Sequence, residues 1–171
     1  MTKFTDIDET IEVDGFTLTV RIDSDSDMGP PWEEHDGHGS VTDWLHRDKH
    51  PGELLLAQSG AYYRYYDYSE ACHIARRDGW GDPSLRGENE TARAFAARMA
   101  RQDFERMKAW CDDRWQWVGV IVDASRAGVS LGRASLWGIE SDADSYLVKV
   151  ANELVEEAVN DAREKLKALT A

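Results

Sequence analysis

Residues 11–23 read Ile11-Glu-Val-Asp-Gly15-Phe-Thr-Leu-Thr-Val20-Arg-Ile-Asp23. Asp14-Gly15 is the pair that a type I′ turn favours, because both of its central residues take positive φ. After it, Phe16, Leu18, Val20 and Ile22 alternate with Thr17, Thr19 and Arg21, the period-two pattern of a strand with one buried face. The partner strand is expected over about residues 8–13, with Ile11 and Val13 inward. A two-residue turn joins only antiparallel strands, so the chain begins with an antiparallel hairpin.

Two more strands are predicted at Glu53–Gln58 and Ala61–Asp67, around Ser59-Gly60. A last pair is predicted at Trp115–Asp123 and Ser130–Trp137, around Arg126-Ala-Gly128. Asp67, with Glu70 three residues on, has the form of a helix N-cap, and Asp78-Gly79 ends that helix. Phe95, Met99, Ala100, Phe104, Met107 and Cys111 mark a long helix over about residues 90–114. A final helix, capped by Ser141, is expected to run to about Leu169 on a stripe from Leu147 to Leu166. Ser40, followed by Val41, Trp44 and Leu45, predicts a short helix that His50-Pro51 terminates. This order favours antiparallel pairing with helices on one face. The expectation is one α+β domain over residues 1–171, with a single antiparallel sheet from segments near 11–22, 53–67 and 115–137.

The chain has 33 acidic and 20 basic residues, a net charge of −13. Residues 1–60 hold 14 acids and 4 bases, whereas residues 61–137 hold 11 and 12. Such asymmetry suggests opposed surface patches, and the overall sign argues against direct binding to DNA or an anionic membrane. Two cysteines are too few for a disulfide framework. Met1-Thr-Lys-Phe-Thr-Asp-Ile-Asp8 has no apolar signal segment, and no eighteen apolar residues run together, so a cytoplasmic location is expected.

The acidic loop at about residues 23–39 holds the densest chemistry. Asp23, Asp25, Asp27, Glu33, Glu34 and Asp36 form a carboxylate surface around Trp32, which has no evident partner in sequence and suits an exposed anchor. The same acids have the beginnings of a calcium loop, but Met28 stands where its glycine belongs and Pro30-Pro31 stiffen the rest. Four of the five histidines fall between residues 35 and 50. His35, His38, Asp43, His46 and His50 are therefore an alternative ligand set for a divalent transition metal, with Glu34 as a general base, although their spacing matches no zinc signature.

Tyr62, Tyr63, Tyr65, Tyr66 and Tyr68 surround Arg64, a pattern open to base stacking, to a protein partner, or to ordinary strand packing. Arginines including Arg76, Arg93, Arg98 and Arg101 crowd the middle third, either paired with acids such as Asp103 and Glu105 or forming an anion site. Nucleophile chemistry finds no support: there is no Gly-x-Ser-x-Gly and no phosphate-binding glycine motif, and Cys72 and His73 diverge on a helix.

Phe16–Gly39, Ile74-Ala-Arg-Arg-Asp-Gly-Trp-Gly81, Trp115-Gln-Trp-Val-Gly119 and Ser135-Leu-Trp-Gly-Ile-Glu-Ser-Asp142 resemble segments of uncharacterised small acidic proteins of bacteriophages, prophages and plasmids. The resemblance spans most of the chain from about residue 10 and implies no activity. It implies genomic company in which accessory proteins inhibit host DNA-handling or defence complexes. Three readings stand. The first is a non-enzymatic acidic protein, without a cofactor, that engages the basic nucleic-acid-binding face of a host protein. The second is the metal-dependent enzyme, and the third a nucleotide- or signal-binding protein using the Tyr/Arg segment.

Overall fold

The computed structural model describes residues 2–170. In chain order its elements are β1 (Thr10–Val13), β2 (Phe16–Ser24), α1 (Pro31–Glu34), β3 (Glu53–Ser59), β4 (Tyr62–Asp67), α2 (Tyr68–Asp78), a 3-10 turn at Pro83–Leu85, α3 (Ala92–Cys111), β5 (Trp117–Arg126), β6 (Val129–Glu140) and α4 (Ser145–Thr170). All strand pairs are antiparallel, and the fold class is α+β. The chain groups into two compact units: residues 1–28 with 115–171, and residues 29–114. The single sheet expected from the strand pattern is instead two sheets, a four-stranded one in order β1-β2-β5-β6 and the ribbon β3-β4.

The first unit is that four-stranded sheet with α4 across one face. Asp14 (φ 54°) and Gly15 (φ 79°) make the tight turn, with Val13 opposite Phe16. Ala127 and Gly128 take the same left-handed geometry between β5 and β6. Phe16 and Leu18, together with Val118, Val120, Val122 and Ala124, present one buried face to Val150, Leu154, Val155 and Ala158 of α4. Contact is closest at Gly132: a Cβ there would stand 2.2 Å from the Ala158 carbonyl oxygen, so a side chain would push α4 off the sheet. The other face carries a charge ladder in which Asp123 receives Arg21 Nε at 3.2 Å and Arg133 Nε at 2.6 Å. Ser141 does not cap α4. The helix starts at Ser145, and the Ser141 hydroxyl oxygen accepts the Gln116 N–H at 3.0 Å instead.

In the second unit, α2 and α3 pack together around Leu56, Tyr66, Ala71, Ala75, Ala100 and Met107. Asp67 caps α2 by accepting the Glu70 N–H at 2.9 Å, and Gly79 closes it in the left-handed conformation. The helix expected from Ser40 does not form. Residues 41–45 run extended along β4, with bridges Val41–Tyr66 and Leu45–Tyr63. The Leu45 and Tyr63 backbones exchange two bonds of 2.8 Å. An i, i+3, i+4 apolar triplet is short enough to serve either structure, and the unpaired edge of a two-stranded ribbon decides for the extended one.

Candidate functional site

The acidic segment is divided by the boundary between the units, which falls after Met28. Asp23, Asp25 and Asp27 belong to the sheet unit; Trp32, Glu33, Glu34 and Asp36 belong to the helical one.

In the sheet unit the site is built by a bulge. Val118 pairs with Ile139 and Val120 with Leu136, so Trp137 and Gly138 of β6 together oppose Gly119 of β5. A bulge re-aims its side chain. The Trp137 ring lies directly on Gly119, where a Cβ would come within 2.3 Å of the indole. Trp137 remains 45% exposed, and its Nε1 donates to the Ser135 hydroxyl at 3.2 Å. Gly138, at φ 73°, turns its N–H onto Asp25 Oδ2 at 3.0 Å. Asp25 Oδ1 accepts the Asp27 N–H at 3.2 Å, an Asx turn, and the Asp25 N–H donates to the Trp117 carbonyl at 2.9 Å. The result is a groove of about 450 Å³ lined by Ser24, Asp25, Ser26, Asp27, Met28 and Trp137.

That lining combines two carboxylates, two hydroxyls, a thioether and the face of an indole. A guanidinium or ammonium can meet the carboxylates while its plane or methylene stem lies on the ring. Each Asp25 oxygen already accepts one backbone N–H and retains a second lone pair, whereas the Asp27 side chain is exposed. Asp23 stands beside the groove and is held by Arg21.

The expected anchor, Trp32, is not exposed. It is half-buried at the start of α1, edge-on to Trp110 at a centroid distance of 5.6 Å. The Arg64 guanidinium lies 5.3 Å from its centroid and 4.8 Å from that of Trp44. Glu34 Oε1 accepts the Gly29 N–H at 2.6 Å and so closes the loop around α1, while Glu33 and Asp36 are exposed. Trp137, the residue that sequence reasoning missed, is the exposed indole beside the acids. Its only signal was Trp-Gly within a strand pattern, and glycine in a strand marks a bulge.

The histidine set is dispersed. His38 Nδ1 lies 2.6 Å from Asp103 Oδ1, His46 packs tilted on the Tyr62 ring, and His35 and His50 are exposed. Asp43 is exposed on the extended segment. Among the described residues no three His, Cys, Asp or Glu side chains come together as a metal site. The shared face that His46, His50 and Asp43 needed depended on a helix that the segment does not adopt.

Tyr62 of the tyrosine row is exposed, whereas Tyr65 and Tyr66 are taken up internally. Tyr65 donates to the Arg47 carbonyl at 2.7 Å and stacks on Tyr63. Fully buried Tyr66 reaches Asp103 Oδ2 at 2.7 Å; burial, reinforced by that carboxylate, pushes its pKa well above the ordinary phenol range. Asp103 therefore binds Tyr66, His38 and the Gly39 N–H, the last at 2.9 Å, and not the neighbouring arginines expected from helical spacing. Nearby, Arg47 forks onto Glu53 at 2.7 and 2.8 Å. This pair, helped by the His50 N–H, holds the Glu53 carboxyl down at about 2 against the opposing effect of burial.

Comparison of the chain with protein-family models, curated proteins and solved structures finds no match. No helix among the described residues is long and apolar enough to cross a membrane.

Proposed function

We infer that this is an acidic binding protein whose groove at residues 24–28 and Trp137 receives a basic side chain from a partner. The observation that carries the reading is the bulge, which sets an exposed indole against Asp25 and Asp27. The unit bearing the groove has 17 acids and 8 bases, so its field draws cations from a distance. A second acidic hollow of about 500 Å³, lined by Glu153, Glu156, Glu157, Asp161 and Glu164, follows the outer side of α4. Arginine- and lysine-rich surfaces that bind nucleic acid present this complementary chemistry.

With the resemblance to mobile-element proteins, the partner is a host DNA-handling or defence protein, and the action is occupation of its nucleic-acid face in the cytoplasm. The test is competition. A partner captured from host lysate on the wild-type chain should be released by duplex DNA and should fail to bind an Asp27→Lys variant. A partner held equally by both, and indifferent to DNA, would refute the reading.

A further inference from the structure

The helical unit has a cleft of opposite character. Helices α2 and α3 lie side by side, and between them opens a space of about 500 Å³. Ser69, Cys72, His73 and Arg76 face it from α2, at the i, i+3, i+4, i+7 spacing of one helix face. Arg93 faces it from α3. Among the described residues no Asp or Glu lines it, although the chain has 33 of them.

Neither Arg76 nor Arg93 pairs with a carboxylate among the described residues. Their neighbours do: Arg77 is bound to Asp78 at 2.7 Å and Arg98 to Glu90 at 2.8 Å. The wall is formed in advance. Tyr68 donates its hydroxyl to the Ala97 carbonyl at 3.1 Å, and the Arg101 guanidinium covers the Tyr68 ring at 4.8 Å. Two helices are thus joined across the cleft by a fixed phenol, with unpaired guanidinium groups contributed from both sides.

We propose that this α2–α3 cleft binds a phosphoryl group of a small molecule through Arg76 and Arg93. A planar carboxylate presents its two oxygens in one plane, the geometry that a single guanidinium fork matches. A tetrahedral phosphate has three terminal oxygens and accepts from donors on two walls. Ser69 and His73 supply further donors. The volume exceeds what inorganic phosphate fills and falls within the range of sites for nucleotide-sized ligands. The ligand must approach against the net charge of the whole chain, so binding rests on these short-range contacts and not on steering.

The test titrates the whole protein by calorimetry, at low salt, with inorganic phosphate and separately with ADP. In parallel it follows the labelling rate of Cys72 by a thiol reagent. The other thiol, Cys111, is pushed up in pKa by burial and should label more slowly, and peptide mapping of the label assigns the two rates. The expected result is saturable one-site binding that slows Cys72 labelling in proportion to occupancy. Arg76→Gln and Arg93→Gln should each weaken binding by about tenfold, and Arg126→Gln, at the β5–β6 turn of the sheet unit, should not. ADP binding well above phosphate would support a nucleotide-class ligand; equal binding would support a phosphoryl site indifferent to the rest of the molecule. No saturable heat and no protection of Cys72 with either probe would overturn the proposal. Binding unaffected by both arginine substitutions would overturn it as well.

Discussion

The Asp25 carboxylate accepts the backbone N–H of Gly138 at 3.0 Å across 113 residues of chain. This bond joins the exit of β2 to the bulge in β6, so the carboxylate that looked like free surface charge is a structural tie. Asp25 and Asp27, two residues apart, consequently have different duties. Asp25→Ala should destabilise the protein by about 1–3 kcal/mol, because the Gly138 N–H loses its partner. Asp27→Lys should change stability by less than about 0.5 kcal/mol in chemical denaturation.

Partner binding should separate the same groove residues kinetically. Asp27→Lys should slow association, and added salt should weaken the wild-type complex by screening. Trp137→Ala should chiefly speed dissociation, at a cost of about 2 kcal/mol, if the indole is the anchor. Surface plasmon resonance against the captured partner measures both. Unchanged dissociation in Trp137→Ala would remove the indole from the interface.

Trp32 should behave as a packing residue. Its ring is held between Trp110 and Arg64. Trp32→Ala should therefore lower unfolding stability by about 2–4 kcal/mol. Its effect on partner affinity should be small in the folded state. A stable Trp32→Ala protein with abolished binding would restore the surface-anchor role.

Glu53 should confer a pH-dependent contribution. Its carboxyl titrates at about 2 in the folded protein because Arg47 and the His50 N–H favour the charged form. The unfolded chain binds its proton at the higher, ordinary value, so the stabilisation is complete above about pH 4.5 and disappears as pH falls towards 2. Glu53→Gln should melt several degrees below wild type at pH 7, and the gap should close across that acid window. Thermal melts of both proteins, followed by circular dichroism, give the comparison. A gap independent of pH would exclude the ionised pair as its source.

Local rules determined much of the chain. Asp14-Gly15 and Ala127-Gly128 set their turns because left-handed backbone is accessible to few residues, and the alternation from Phe16 to Ile22 assigned the buried face before any partner was known. Asp67 capped α2, and the stripe along α4 met the sheet, because both signals lie within a few residues of sequence. Tertiary structure decided what one segment owes to another. Residues 41–45 are extended because β4 had an edge to fill, and Ser141 accepts from Gln116 because the ends of β5 and β6 meet. Two sheets replaced one because local period-two patterning says nothing about which strands pair. The candidate site follows the same division: its acids were visible as composition, but Trp137 joined them only through the bulge, and Trp32 left them for Trp110. Hydrogen-bond register and the closure of apolar surface are long-range properties, and neither is written in the spacing of neighbouring residues.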